Sequence, residues 1–196
     1  MLASLVGVDD DTVRWRGVHH LALVTDDMDA TVRFWHGVLG ARLVHTIGAP
    51  AFRHYFFEVG PGNTVAFFEY RDVELDRFAK PAGIPYRQAS QFDHLSLALA
   101  DDESLHRLQV RLKEHGCEVT DVVDHGSMHS IYFSDPSGIA LEASCWVVDA
   151  TAQPGDLGDD RFFADRDPVP AVGELREHGH LVTTPQTQLV DDVTTR

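Results

Sequence analysis

The sequence is poor in cysteine, poor in basic side chains and free of long apolar runs, and each shortage excludes a class of protein. Its 196 residues hold two cysteines, Cys117 and Cys145. They form no CxxC pair, so neither a disulfide scaffold nor a cysteine-based zinc site is available, and they read as partly buried thiols of a cytoplasmic protein. Sixteen Lys and Arg stand against 31 Asp and Glu, a net charge of −15. Phosphate backbones and anionic lipid surfaces need clustered cations, so no nucleic acid and no membrane is expected as a partner. No stretch approaches the ~20 apolar residues of a membrane span. The opening MLASLVGVDDDT lacks a basic segment, and Asp9, Asp10 and Asp11 end its apolar run, so it does not read as a secretory signal. What is present is enough chain for a domain that buries about 70% of its unfolded surface, and 12 histidines.

The chain also repeats itself. Val18-His-His-Leu-Ala-Leu-Val24 returns as Phe92-Asp-His-Leu-Ser-Leu-Ala98, which sets His20 against His94, Leu21 against Leu95 and Leu23 against Leu97 at a constant offset of 74. Both segments alternate like strands. Acidic turn residues follow, Asp26-Asp27 and Asp101-Asp102, and then helical spacings: Val32, Trp35, Val38 and Leu39 in one copy, Leu105, Leu108 and Leu112 in the other. Gly40 and Gly116 stand where helix C-caps are expected. Three strand-like runs close each copy: Arg42–Thr46, Arg53–Val59 and Thr64–Tyr70, then Cys117–Val123, Ser130–Ser134 and Ile139–Val147. The fold class expected is therefore α+β: two βαβββ modules, 17–70 and 92–148, forming a curved mixed sheet around a cup with helices outside. Residues 71–91 are the linker between them, 1–16 a leader and 149–196 an acidic tail.

Alternation assigns the faces. Leu21, Leu23, Leu95 and Leu97 belong under the helices. His20 and His94 then point the other way, among small residues that leave room. Two histidines at equivalent repeat positions suggest metal binding, where either alone would read as a hydrogen-bonded structural residue. Glu142, inside the apolar run Ile-Ala-Leu-Glu-Ala-Ser-Cys-Trp, is costly to bury unless paired or bound to a cation. Two imidazoles and one carboxylate with open positions suit Fe(II), and also Mn, Co, Ni or Zn.

The paired modules, the HHLALV and DHLSLA openings and the DPSGIALE close resemble the vicinal oxygen chelate superfamily, the glyoxalase, bleomycin-resistance and extradiol-dioxygenase group, over about residues 17–148. The resemblance implies that His20, His94 and Glu142 are metal ligands. It also implies a small-molecule substrate that offers two vicinal oxygens to a single divalent ion, Fe(II) or Mn(II) in the first instance and Ni, Zn or Co otherwise. A homodimer is expected.

Val123 to Glu142, reading VDHGSMHSIYFSDPSGIALE, is similar to the signature of extradiol ring-cleaving dioxygenases throughout. By that match His125 bonds substrate or oxygen and Tyr132 a substrate hydroxyl, both as catalytic groups. The expected reaction is cleavage of a catechol-like aromatic diol with O2. One departure stands out: Asn63 occupies the position where that branch carries a catalytic histidine, so His54 or His129 takes the role or the reaction differs. The alternative is a glyoxalase-type lyase or isomerase working through a metal-bound enediolate, with Glu69 as fourth ligand or base. A non-catalytic, drug-binding resistance module is the third reading, against which the intact His20/His94/Glu142 set argues.

The tail holds ten acidic and four basic residues, so it contributes −6 of the −15. Phe162-Phe163 and Val172-Gly-Glu-Leu-Arg-Glu are its only anchoring patterns.

Overall fold

A computed structural model describes residues 17–75, 92–151 and 156–181. The leader and residues 76–91 of the linker lie outside that range. The first module runs β1 (His20–Val24), α1 (Met28–Val32), β2 (Arg42–Gly48), β3 (Phe52–Gly60) and β4 (Asn63–Tyr70). The second runs β5 (Leu95–Ala98), α2 (Asp102–Glu114), β6 (Val123–Asp124), β7 (Met128–Ser134) and β8 (Ala140–Trp146). Each makes a four-stranded mixed sheet, ordered β1-β4-β3-β2 and β5-β8-β7-β6. The first strand of each lies parallel to the last, and neither sheet closes.

Local chemistry explains the helices. Asp27 caps α1 by accepting from the Ala30 amide at 2.9 Å, and Asp101 caps α2 through the Ser104 amide at 2.8 Å. After Val32 the first helix widens into a π-helical turn, Arg33–Val38. Gly40 and Gly116, at φ of 78° and 74°, provide the left-handed residues that follow the two helices.

The alternating pattern sorts the strands as expected: His20, Ala22 and Val24 are exposed while Leu21 and Leu23 are half-buried. Beneath the helices Trp35, Phe57, Phe67, Leu105, Leu112, Ile131 and Leu141 are fully buried. The modules meet where Phe34 packs 6.5 Å from Phe133 and the Trp35 indole donates to Asp135 at 3.5 Å. Both sheets therefore bury one face and leave the other open.

The expected strand Cys117–Val123 is a correction. Only Val123–Asp124 pairs as a strand, with a single bridge from Val119 to Phe133. Thr120 interrupts the ladder: its hydroxyl takes the Tyr132 amide at 3.0 Å, and Gln109 takes its carbonyl at 2.7 Å.

The chain divides into two units, 1–148 and 149–196. In the second, α3 (Pro170–His178) starts on proline and ends at left-handed Gly179. Among the described residues no helix is long and apolar enough to cross a membrane.

Candidate metal centre

The open face of the second sheet gathers most of the expected site. His94 precedes β5, and its Nε2 lies 2.8 Å from Glu142 Oε2 on β8. Its Nδ1 lies 2.6 Å from Asp93 Oδ1. The ring thus sits between two carboxylates. His94 and Glu142 would be the residues to hold a divalent cation here, with Asp93 keeping the ring oriented, as partners of metal-bound histidines do. Glu142 is only 5% exposed. Burial alone would raise its pKa, but hydrogen bonds from Ser130, Ser144, Tyr132 and Ser96 together outweigh it and hold the carboxyl below its ordinary range. The serines also bond one another, Ser96 to Ser144 at 2.8 Å and Ser130 to Ser144 at 3.1 Å. Glu142 is therefore an ionised, pre-oriented carboxylate, and the pair fits two donors of a divalent-metal site.

Tyr132 faces Glu142 across the β7–β8 ladder. Its hydroxyl lies 2.8 Å from His125 Nε2, and its ring centroid is 6.0 Å from that of His94. Burial first, then hydrogen bonding to Glu142 and its charge, push the phenol pKa up, so the hydroxyl is neutral. Thr120 holds the tyrosine backbone at both ends, receiving its amide and donating to its carbonyl at 3.1 Å. Asp93, Thr120 and the serine floor had no motif to announce them. Only the polar residues at alternate positions, Ser96, Ser130 and Ser144, marked the open face in the sequence.

His20 stands elsewhere. It lies on the open face of the first sheet, with Nδ1 2.8 Å from His19 Nδ1 and its ring 6.5 Å from His54 and 5.7 Å from Phe56. Among the described residues no three His, Cys, Asp or Glu side chains are grouped to hold a metal, so a single chain does not bring His20 to His94 and Glu142. His54 stacks on Phe68 at 3.5 Å, is 8% exposed, and has a buried Nε2 without a hydrogen-bond partner. Burial first, then the neighbouring His20 and His45, lower its pKa.

Two sequence candidates lie off the open faces. Glu69 sits on the helix-covered face, where it accepts from the Met28 amide at 2.9 Å and pairs with Arg53. The residue that matches Glu142 by register is Ala66, opposite Ala22 as Glu142 is opposite Ser96. Glu69 thus anchors the start of α1 to the sheet, on the face opposite His20. His129 also lies off the open face: it meets Asp102 at the start of α2, on the covered side.

A family model, that of the Glyoxalase/Bleomycin resistance protein/Dioxygenase superfamily, matches residues 17–143. No curated protein matches the chain. Among solved structures, a glyoxylase/bleomycin resistance protein/dioxygenase domain from Frankia sp. EAN1pec aligns at 23% identity and a TM-score of 0.57, over 68% of this chain and 99% of its own. A glyoxalase family protein from Enterococcus faecalis aligns at 22% and 0.51, over 66% and 98%. TnmS3, an antibiotic binding protein from Streptomyces sp. CB03234, aligns at 15% and 0.52, over 69% and 99%. These likenesses establish a shared fold.

Proposed function

The chain belongs to the Glyoxalase/Bleomycin resistance protein/Dioxygenase superfamily, and within it we propose a metal-dependent enzyme of the extradiol type that cleaves a catechol-like aromatic diol with O2. The observation that supports it most is a contiguous set: His94 meets Glu142 and His125 meets Tyr132, each at 2.8 Å, and Tyr132 hydrogen-bonds Glu142 between the two pairs. His20, His94 and Glu142 would hold the ion. A divalent ion there, Fe(II) or Mn(II) by preference for two imidazoles and a carboxylate, supplies Lewis acidity to the substrate's two adjacent oxygens. Tyr132, kept neutral, offers its hydroxyl proton to a substrate oxygen. His125 Nε2, within hydrogen-bond reach of that hydroxyl, holds or returns the proton. The glyoxalase-type lyase or isomerase reading calls for a second carboxylate on the first module, and the position that would bear it is Ala66.

The three donors are split between two open sheet faces, which supports a site closed between two copies of the chain: His20 from one, His94 and Glu142 from the other. Two-fold symmetry then makes two identical sites. The free thiols Cys117 and Cys145 suit a reducing, cytoplasmic setting.

The test is metal analysis, then anaerobic Fe(II) reconstitution with a panel of catechols, following O2 uptake and yellow ring-fission product. Uptake with product formation is expected. No uptake with iron, but isomerisation of thiol adducts with Ni or Zn, would overturn the dioxygenase reading in favour of the lyase. Failure to retain any metal would leave a binding role.

A further inference from the structure

Opposite the candidate site, on the covered side of the second sheet, three elements meet at one imidazole. His129, at the start of β7, places Nδ1 2.7 Å from Asp102 Oδ1 at the first position of α2. Its Nε2 lies 3.7 Å from Asp124 Oδ1 on β6. Asp124 in turn accepts the Gly126 amide at 2.7 Å, which shapes the turn that carries His125. The buried Cys145 thiol, across the ladder from His129, donates to the same Asp102 oxygen at 3.3 Å. Asp102, Asp124 and Cys145 are the titratable groups that face the ring, with Asp101 acting on Asp102 from the preceding cap.

The repeat shows what this cluster replaces. In the first module the position of His129 is Arg53 and that of Cys145 is Glu69, paired across the ladder in the same way. Arg53 and Glu69 bind each other, and Glu69 takes the amide of Met28, the residue that opens α1. Both modules therefore tie the start of their helix to the sheet by a charged contact. The first uses a permanent cation. The second uses an imidazole that also reaches the hairpin turn.

We propose that His129 is a positioning residue for His125: by bridging Asp102 of α2 and Asp124 of the hairpin, it fixes the turn that presents His125 to the Tyr132 hydroxyl. The functional value of that position rests on the reading given above. The clamp itself does not, because the hairpin is held whether or not substrate turns over. Hydrogen bonding to Asp102 is the main cause that raises the His129 pKa, with burial opposing it. A histidine with a raised folded pKa holds its contact fully below its unfolded value, about 6.5, and loses it as pH rises through the folded value.

The test is the ring-nitrogen NMR signature of His125 in metal-free protein at about pH 6, below the unfolded histidine value. His129→Gln and Asp124→Asn should each shift the His125 ring nitrogens toward those of a solvent-averaged histidine. Asn keeps an oxygen acceptor for the Gly126 amide, so Asp124→Asn tests the charge alone and stands by itself should His129→Gln fail to fold. His129→Arg, which copies Arg53, should restore the wild-type signature and carry it unchanged to higher pH than the wild type does. A His125 signature untouched by Asp124→Asn, or a folded His129→Arg without rescue, would overturn the proposal. A signature that moves as expected in a protein without O2 uptake would retain the clamp and reject the dioxygenase reading.

Discussion

Replacing Glu142 by Gln tests the buried carboxylate without requiring any metal. The substitution keeps the shape and removes the charge. Glu142 is 5% exposed and accepts from His94 at 2.8 Å and from a set of hydroxyls. Hydrogen bonds to charged groups contribute ~1.5–3 kcal/mol, neutral ones ~0.5–1.5. An amide is easier to bury than a carboxylate, which offsets part of the difference. The expected cost is about 1–2 kcal/mol at neutral pH. The folded pKa lies below the ordinary value, so the carboxylate's contribution is complete above its unfolded value, about 4.3, and is lost as pH falls through the folded value. The variant should therefore be less stable than wild type at pH 7 and converge on it in acid. Urea denaturation of chelator-treated protein at both pH values measures this. An equal deficit at both, or none at pH 7, would refute the view that Glu142 is an ionised carboxylate held by its hydroxyl partners.

Two further outcomes follow from the same geometry. Asp93→Asn weakens the partner on His94 Nδ1, and metal affinity measured by competition with a chromophoric chelator should fall ~10–100-fold. Thr120→Val removes the hydroxyl acceptor of the exposed Tyr132 amide, and stability by thermal or urea unfolding should drop by about 0.5–1.5 kcal/mol.

The repeat was legible because period-2 alternation survives in both copies: the leucines of β1 and β5 go under the helices and His20 faces away from them. The close approach of His94, Glu142, Tyr132 and His125 followed from a motif confined to one hairpin and one neighbouring strand. What escaped was set by contacts distant in sequence. Glu69 has the composition of a ligand but the parity of the covered face, and only the β1–β4 register assigns its counterpart role to Ala66. The strand expected at Cys117–Val123 fails because a threonine hydroxyl competes for a ladder amide, which hydrophobic pattern does not record. The separation of His20 from His94 and Glu142 is a matter of how the modules pack, and no local signal encodes it.

The most direct measurement is complementation between two defective chains. His20→Ala and Glu142→Ala, each purified alone, should retain no metal. Mixed under conditions that allow subunits to exchange, they should regain about a quarter of wild-type metal content, since half of the reassorted dimers are mixed and one of their two sites is intact. A site built within one chain, or one that does not use these residues, predicts that the mixture binds no more than its components, and that result would contradict the shared metal centre.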